Sequence, residues 1–192
     1  QNGCSQQGYP AGVYTLQVAR LSYVANQAII GRKRQASDTA NVVSATAIDN
    51  VSGTILLAPA TEAAFCMQRD PGGEFRTYRP AFGITTRNQG TLGGNTVPNA
   101  SALPLEAMRP TTANSVFACA TTTNQNSIPD HTLRYTHAGQ FDQGNNYVFA
   151  DTSARFRNTL STFDVKKFAW GKAAYSLGGL PVVDPVTGNP VE

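Results

Sequence analysis

Short runs in which apolar and polar residues alternate fill most of this chain, and each run is closed by glycine, proline, asparagine or aspartate. In "GVYTLQVARLSYV", from Gly12, residues Val13, Thr15 and Gln17 face away from Tyr14, Leu16 and Val18. A period of two residues is the signature of a strand. "GTILLAPA" from Gly53 is a short apolar strand closed by Pro59, and "EFRTYRPAFGITT", "NSVFACATTT", "HTLRYTHA", "NNYVFA" and "SARFRN" repeat the pattern. Helical spacing never lasts three turns. The one plausible helix start is in "TLSTFDVKKFAWG", where Ser161 or Thr162 caps ahead of Asp164, so one or two helical turns are expected there. The fold class read from the pattern is mainly β, an antiparallel sheet with long loops. Residues 88–130, broken by glycine, proline and asparagine clusters, should be loop-rich.

A chain of 192 residues is most simply one domain with a real core. We assign residues 1–179 to that domain. Residues 180–192 carry Pro181, Pro185 and Pro190 among β-branched residues and are read as an extended arm. On that reading Val182, Val183 and Val186 of the arm, with or without Gln1 to Gly12, dock on a neighbour's sheet edge and make the chain a homo-oligomer or filament.

Charged residues are only 14% of the chain, so solubility rests on Thr, Ser, Asn, Gln and Gly, a surface suited to β-rich extracellular proteins. The expected location is outside the cell or on its surface. The basic run at Arg32 to Arg34 lacks the interleaved aromatics that stack on bases, so it is read as a solvated loop and no nucleic-acid partner is expected. No apolar run is long enough to span a bilayer. The first residues, "QNGCSQQGYP", are polar and lack an initiator methionine, which points to a chain processed or cut from something longer. Cys4, Cys66 and Cys119 are an odd count without CxxC spacing. Cys66 and Cys119, both in apolar runs, are the better-placed disulfide pair, with two buried thiols as the alternative. The sequons at Asn50 and Asn99 mark exposed turns.

Three chemistries are open to these residues. His137, Asp151 and Ser153 lie close in sequence, but the serine lacks a nucleophile-elbow context, and His131 and His137 fit better as one packed and one solvated strand residue. In "FDQGNNYVFAD", Asp142, Asn145, Asn146 and Asp151 supply the oxygen donors a calcium ion takes, at a spacing unlike the EF-hand; the alternative is a turn network of the same side chains. No cofactor is expected other than this calcium ion, and no small-molecule substrate is expected. Tyr147, Phe149, Phe156, Phe163, Phe168 and Trp170 form an aromatic series that reads as core, or else as a sugar-binding platform.

"HAGQFDQGNNYVFADTSARF" followed by "FDVKKFAWG" resembles the C-terminal region of the pseudopilin-like proteins known for a signature of His, nine residues, then Asp-Gly. "LSYVANQAIIG" is similar to that family's Ser-Tyr-x-x-Asn segment, and "AIDNVSGTILLAPAT" to its Thr-Ile-Leu strand. The resemblance runs from about Leu21 to Trp170. It implies a pilin-like globular head, normally packed on the end of a long N-terminal helix, which would make the whole α+β. Here thirteen residues separate His137 from Asp151, and Thr152 replaces the glycine. The longer loop falls at "QFDQ", and a β-branched residue resists the positive φ of an Asp-Gly type I′ turn. The implied function is a non-enzymatic extracellular structural subunit of a pilin-like assembly of the type II secretion kind. The alternatives are a secreted β-sandwich-like module binding carbohydrate or cell surface and, more weakly, a secreted hydrolase.

Overall fold

The computed structural model describes residues 23–31, 43–61, 81–85, 104–117, 133, 136–139 and 143–192. Two sheets are present among them. The first is antiparallel, with β1 (Tyr23–Ala25), β2 (Ile55–Pro59), β4 (Gly144–Phe149) and β5 (Ala154–Asn158) in that spatial order. The second is mixed, with β3 (Leu105–Glu106) parallel to β7 (Leu180–Val183), and β7 antiparallel to β6 (Ala173–Ala174). The chain is thus mainly β, and the parallel β3–β7 pair is a departure from the all-antiparallel expectation.

One helix, α1 (Pro110–Phe117), overturns the reading of "NSVFACATTT" as strand from its first residues. Pro110 opens the helix at the position where its missing N–H costs nothing. Ala113, Val116 and Phe117 then fall on one face and are buried. Phe117 meets Phe163 edge to face, with centroids 6.2 Å apart. Thr, Asn and Val are weak helix formers, so packing rather than propensity holds this element. The helical turn expected near "TLSTF" is a 3-10 turn at Leu160–Phe163. Ser161 and Thr162 lie inside it; the N-cap is Thr159, whose side chain makes no cap bond, and the Oδ1 of the preceding Asn158 accepts the Ser161 N–H at 3.2 Å.

The core lies on the inner face of the first sheet. Trp170, Tyr147, Phe82, Phe149, Phe163 and Ile55 are its largest fully buried members. Trp170 stacks on Phe163 with centroids 5.5 Å apart, and its indole N–H donates to the Thr162 hydroxyl at 3.1 Å. Buried Asn26, at the end of β1, ties distant pieces together. Its amide nitrogen donates to the carbonyls of Ile55 (2.7 Å) and Trp170 (3.1 Å), and its Oδ1 accepts the Ala28 N–H. A buried amide whose bonds are all made fixes register, because any slip strands it without partners.

Residues 180–192 are not a free arm. Val182 and Val183 are buried within β7, Val191 is also buried, and only Val186 stands out at 71% exposure. Glu192 closes the chain against its own domain, donating to the Val165 carbonyl and accepting from the Phe168 N–H. The prolines do not prevent pairing because the residues beside them supply the donors. Val182 N–H bonds to Lys172, Asp184 N–H to Asn189 and Val191 N–H to Val182. The docking of Val182 and Val183 on a neighbour is therefore set aside, and the boundary at residue 180 is not a structural one. Cys4, Cys66, Cys119, Arg32 to Arg34, Asn99, His131 and Asp142 lie outside the described residues. Asn50 sits in an exposed turn, its Oδ1 accepting from the Gly53 N–H and the Ser52 hydroxyl. Among the described residues no helix is long and apolar enough to cross a membrane.

Candidate functional site

The β4–β5 hairpin carries most of the residues singled out in the sequence. Asn145, Tyr147 and Phe149 point inward and are buried, while Asn146 is exposed on the opposite face. The hairpin loop is closed by Thr152 N–H to the Phe149 carbonyl and by Phe149 N–H to the Ser153 carbonyl, both 2.9 Å. Thr152 takes φ of 68°. The β-branched residue therefore does occupy the left-handed region, contrary to expectation. It does so at the last loop position, where a three-residue hairpin loop usually places glycine, rather than within a type I′ turn.

The turn is braced by a polar cluster. Asp151 Oδ1 accepts from the Ser153 hydroxyl (2.6 Å) and the Ser153 N–H (3.0 Å), and Asp151 Oδ2 pairs with Arg155 at 2.7 Å. The Ser153 bonds, and after them the Arg155 charge, hold the Asp151 carboxyl below its usual range. The Arg155 guanidinium lies 4.6 Å from the centroid of the Phe149 ring, a cation–π contact at the rim of the core.

At the other end of the hairpin is a buried network. Asn145 donates to the carbonyl of His137 (2.9 Å) and to the Thr159 hydroxyl (3.0 Å). The Tyr147 hydroxyl lies 3.3 Å from Thr159 Oγ1, and burial pushes the Tyr147 phenol up. His137 Nδ1 accepts the Gly139 N–H.

These positions separate the candidate residues. Asn145 and Asn146 face opposite sides of β4, and Asp151 lies beyond its far end; at ~3.3 Å per residue that is roughly 15 Å or more. The calcium site proposed on Asp142, Asn145, Asn146 and Asp151 is thus not assembled by the three members described. Among the described residues no group of three His, Cys, Asp or Glu side chains gathers to hold a metal. His137 likewise stands near Pro59 and Asn145, whereas Asp151 and Ser153 stand near Val51 and Thr54, so these three do not form a triad. Within the aromatic series, Tyr147, Phe149, Phe163, Phe168 and Trp170 are core, and Phe156 alone is exposed, at 54%. Five of six rings are therefore unavailable as a sugar platform.

The sequence reading missed Asn26 and the Arg109–Asp184 pair. Asn26 was within reach, since it is the asparagine of the Ser-Tyr-x-x-Asn segment. The ion pair joins residues 75 apart, and no local pattern signals it. Comparison with protein-family models, with curated proteins and with solved structures returned no match in any of the three.

Proposed function

We propose that this chain is the globular head of a non-enzymatic extracellular structural subunit, pilin-like or pseudopilin-like, acting through self-association and surface contacts. The observation that supports this reading is where the three resembling segments fall. "LSYVANQ" supplies β1, "NVSGTILLAPA" supplies β2 and "GNNYVFADTSARF" supplies β4 and β5, adjacent strands of one sheet. Asn26 binds the first two of these segments to Trp170 of "FAWG". Segments scattered over the sequence thus serve one small architecture, as they would in a shared head fold.

The test is assembly from the gene's own start codon, co-expressed with a prepilin peptidase and followed by electron microscopy of sheared fibres. Filaments or pseudopili that contain this chain support the reading. Secretion as a monomer behind a conventional signal peptide, with no fibre under any expression level, overturns it.

A further inference from the structure

β5 is the outer strand of the four-stranded sheet. Its ladder with β4 keeps one register throughout, from Gly144 opposite Asn158 to Val148 opposite Ala154. The bonds Phe149 N–H to Ser153 and Thr159 N–H to Gln143 fix which pairs exchange hydrogen bonds. By the alternation of an antiparallel ladder, Arg155 and Arg157 turn their main-chain groups to β4, and Ala154 and Phe156 turn theirs outward. Among the described residues nothing pairs with those outward groups. The edge is also chemically two-sided. Arg155 and Arg157 project on the face of Tyr147 and Asn145, and Phe156 projects on the opposite face beside Asn146. Phe156 covers Gly144, where any side chain would run into its ring, yet it remains 54% exposed. Arg157 is exposed and has no carboxylate beside it among the described residues.

We propose that this edge is a docking site for an extended acidic segment of another protein, added as a further strand beyond β5. An incoming strand would satisfy the outward groups of Ala154 and Phe156. A strand's alternation would place one residue opposite Arg157 on the cationic face and its neighbour against Phe156, while Arg155 stays with Asp151. The fitting pattern is an apolar residue beside a carboxylate. A second copy of this chain fits poorly, because antiparallel pairing about Phe156 sets against Arg157 only Arg155, already held by Asp151, and β5 has no carboxylate of its own to offer. Charge complementarity selects the acidic partner. The inference stands apart from the assembly reading, since it concerns a heterologous strand and holds for a subunit or a binding module alike.

The test uses the intact chain and a short capped peptide alternating glutamate with valine, against a control with lysine in place of glutamate. Amide hydrogen exchange should slow at Ala154 and Phe156 with the glutamate peptide and stay unchanged with the lysine peptide. Arg157→Glu, an exposed change that leaves the core untouched, should weaken the glutamate peptide roughly three- to tenfold and bring in the lysine peptide. Equal protection by both peptides, or none by either, overturns the proposal. Protection of both amides in the chain alone, rising with its concentration, assigns the edge to a second copy and also overturns it.

Discussion

Arg109 donates from Nε and from a terminal guanidinium nitrogen to the same oxygen of Asp184, at 3.1 and 2.7 Å, joining the start of α1 to the turn after β7. Asp184 is buried and also accepts from the Val186 N–H and the Thr187 hydroxyl. Its burial favours the neutral acid, but the bonds from Arg109, Val186 and Thr187, with the Arg109 charge, outweigh that and hold the carboxyl below its usual range.

A depressed folded pKa adds stability above the unfolded value of about 4, and that stability is lost as pH falls through the lower folded value. Asp184→Asn should therefore cost about 1.5–3 kcal/mol at neutral pH. It should also flatten the acid limb of a plot of urea midpoint against pH. Identical acid limbs for the two proteins would remove Asp184 as a source of acid sensitivity.

Thr152 at φ of 68° stores strain that glycine would not. A non-glycine residue in the left-handed region costs on the order of 1–3 kcal/mol, and glycine's extra unfolded-state freedom returns part of that. Thr152→Gly should raise stability by about 0.5–1.5 kcal/mol, whereas Thr152→Ala, which keeps a Cβ at the same φ, should stay within about 0.5 kcal/mol. Urea unfolding of the two variants distinguishes conformational strain from a useful side-chain contact. A loss of stability in the glycine variant would favour the contact.

Phe149 is buried opposite Ile55 in the centre of the first sheet, with Arg155 over its ring. Truncation to alanine should cost about 3–5 kcal/mol. Gly83 gives a second probe of the same core, because a Cβ there would stand 2.6 Å from Trp170 Cγ. Gly83→Ala should cost about 1–3 kcal/mol and alter the near-UV circular dichroism of Trp170. A loss under about 1 kcal/mol at Phe149 would mean that the strand tolerates solvent on its inner face.

Calcium should not raise the melting temperature through Asn145, Asn146 and Asp151 of this hairpin. Asn145 is committed to His137 and Thr159, and Asp151 to Ser153 and Arg155, at opposite ends of the hairpin. A ligand that bound only the folded chain would raise the midpoint by mass action. A rise across millimolar calcium would locate a site elsewhere and leave this hairpin's assignment standing only if Asn145→Ala kept the rise.

The hairpin shows how much local pattern can carry. "GNNYVFADTSARF" alternates, breaks at aspartate and resumes, and those facts place two strands and a turn without any knowledge of the rest of the chain. The inward set Tyr147 and Phe149 was legible for the same reason, because a period of two assigns faces. What the pattern could not convey was the distance between Asn145 and Asp151. Residues close in sequence look like one loop until the segment between them is known to be a strand, which extends rather than gathers them.

"NSVF" and "LPVV" mark the other limit. Val116 and Phe117 suit a strand by composition, and only the pocket against Phe163 makes a helix the better burial. Pro181, Pro185 and Pro190 argue against a sheet in isolation, yet β3 and β6 offer partners whose bonds use the residues on either side of Pro181. The sequence by itself determined the β class, the hairpin and the aromatic core, because alternation and turn chemistry act over a few residues. The tertiary structure decided α1, the parallel β3–β7 pair, the inward C-terminal segment and the Arg109–Asp184 bond. Each depends on surfaces brought together from separate parts of the chain, where local propensity is weaker than the burial and hydrogen bonding that the partner provides.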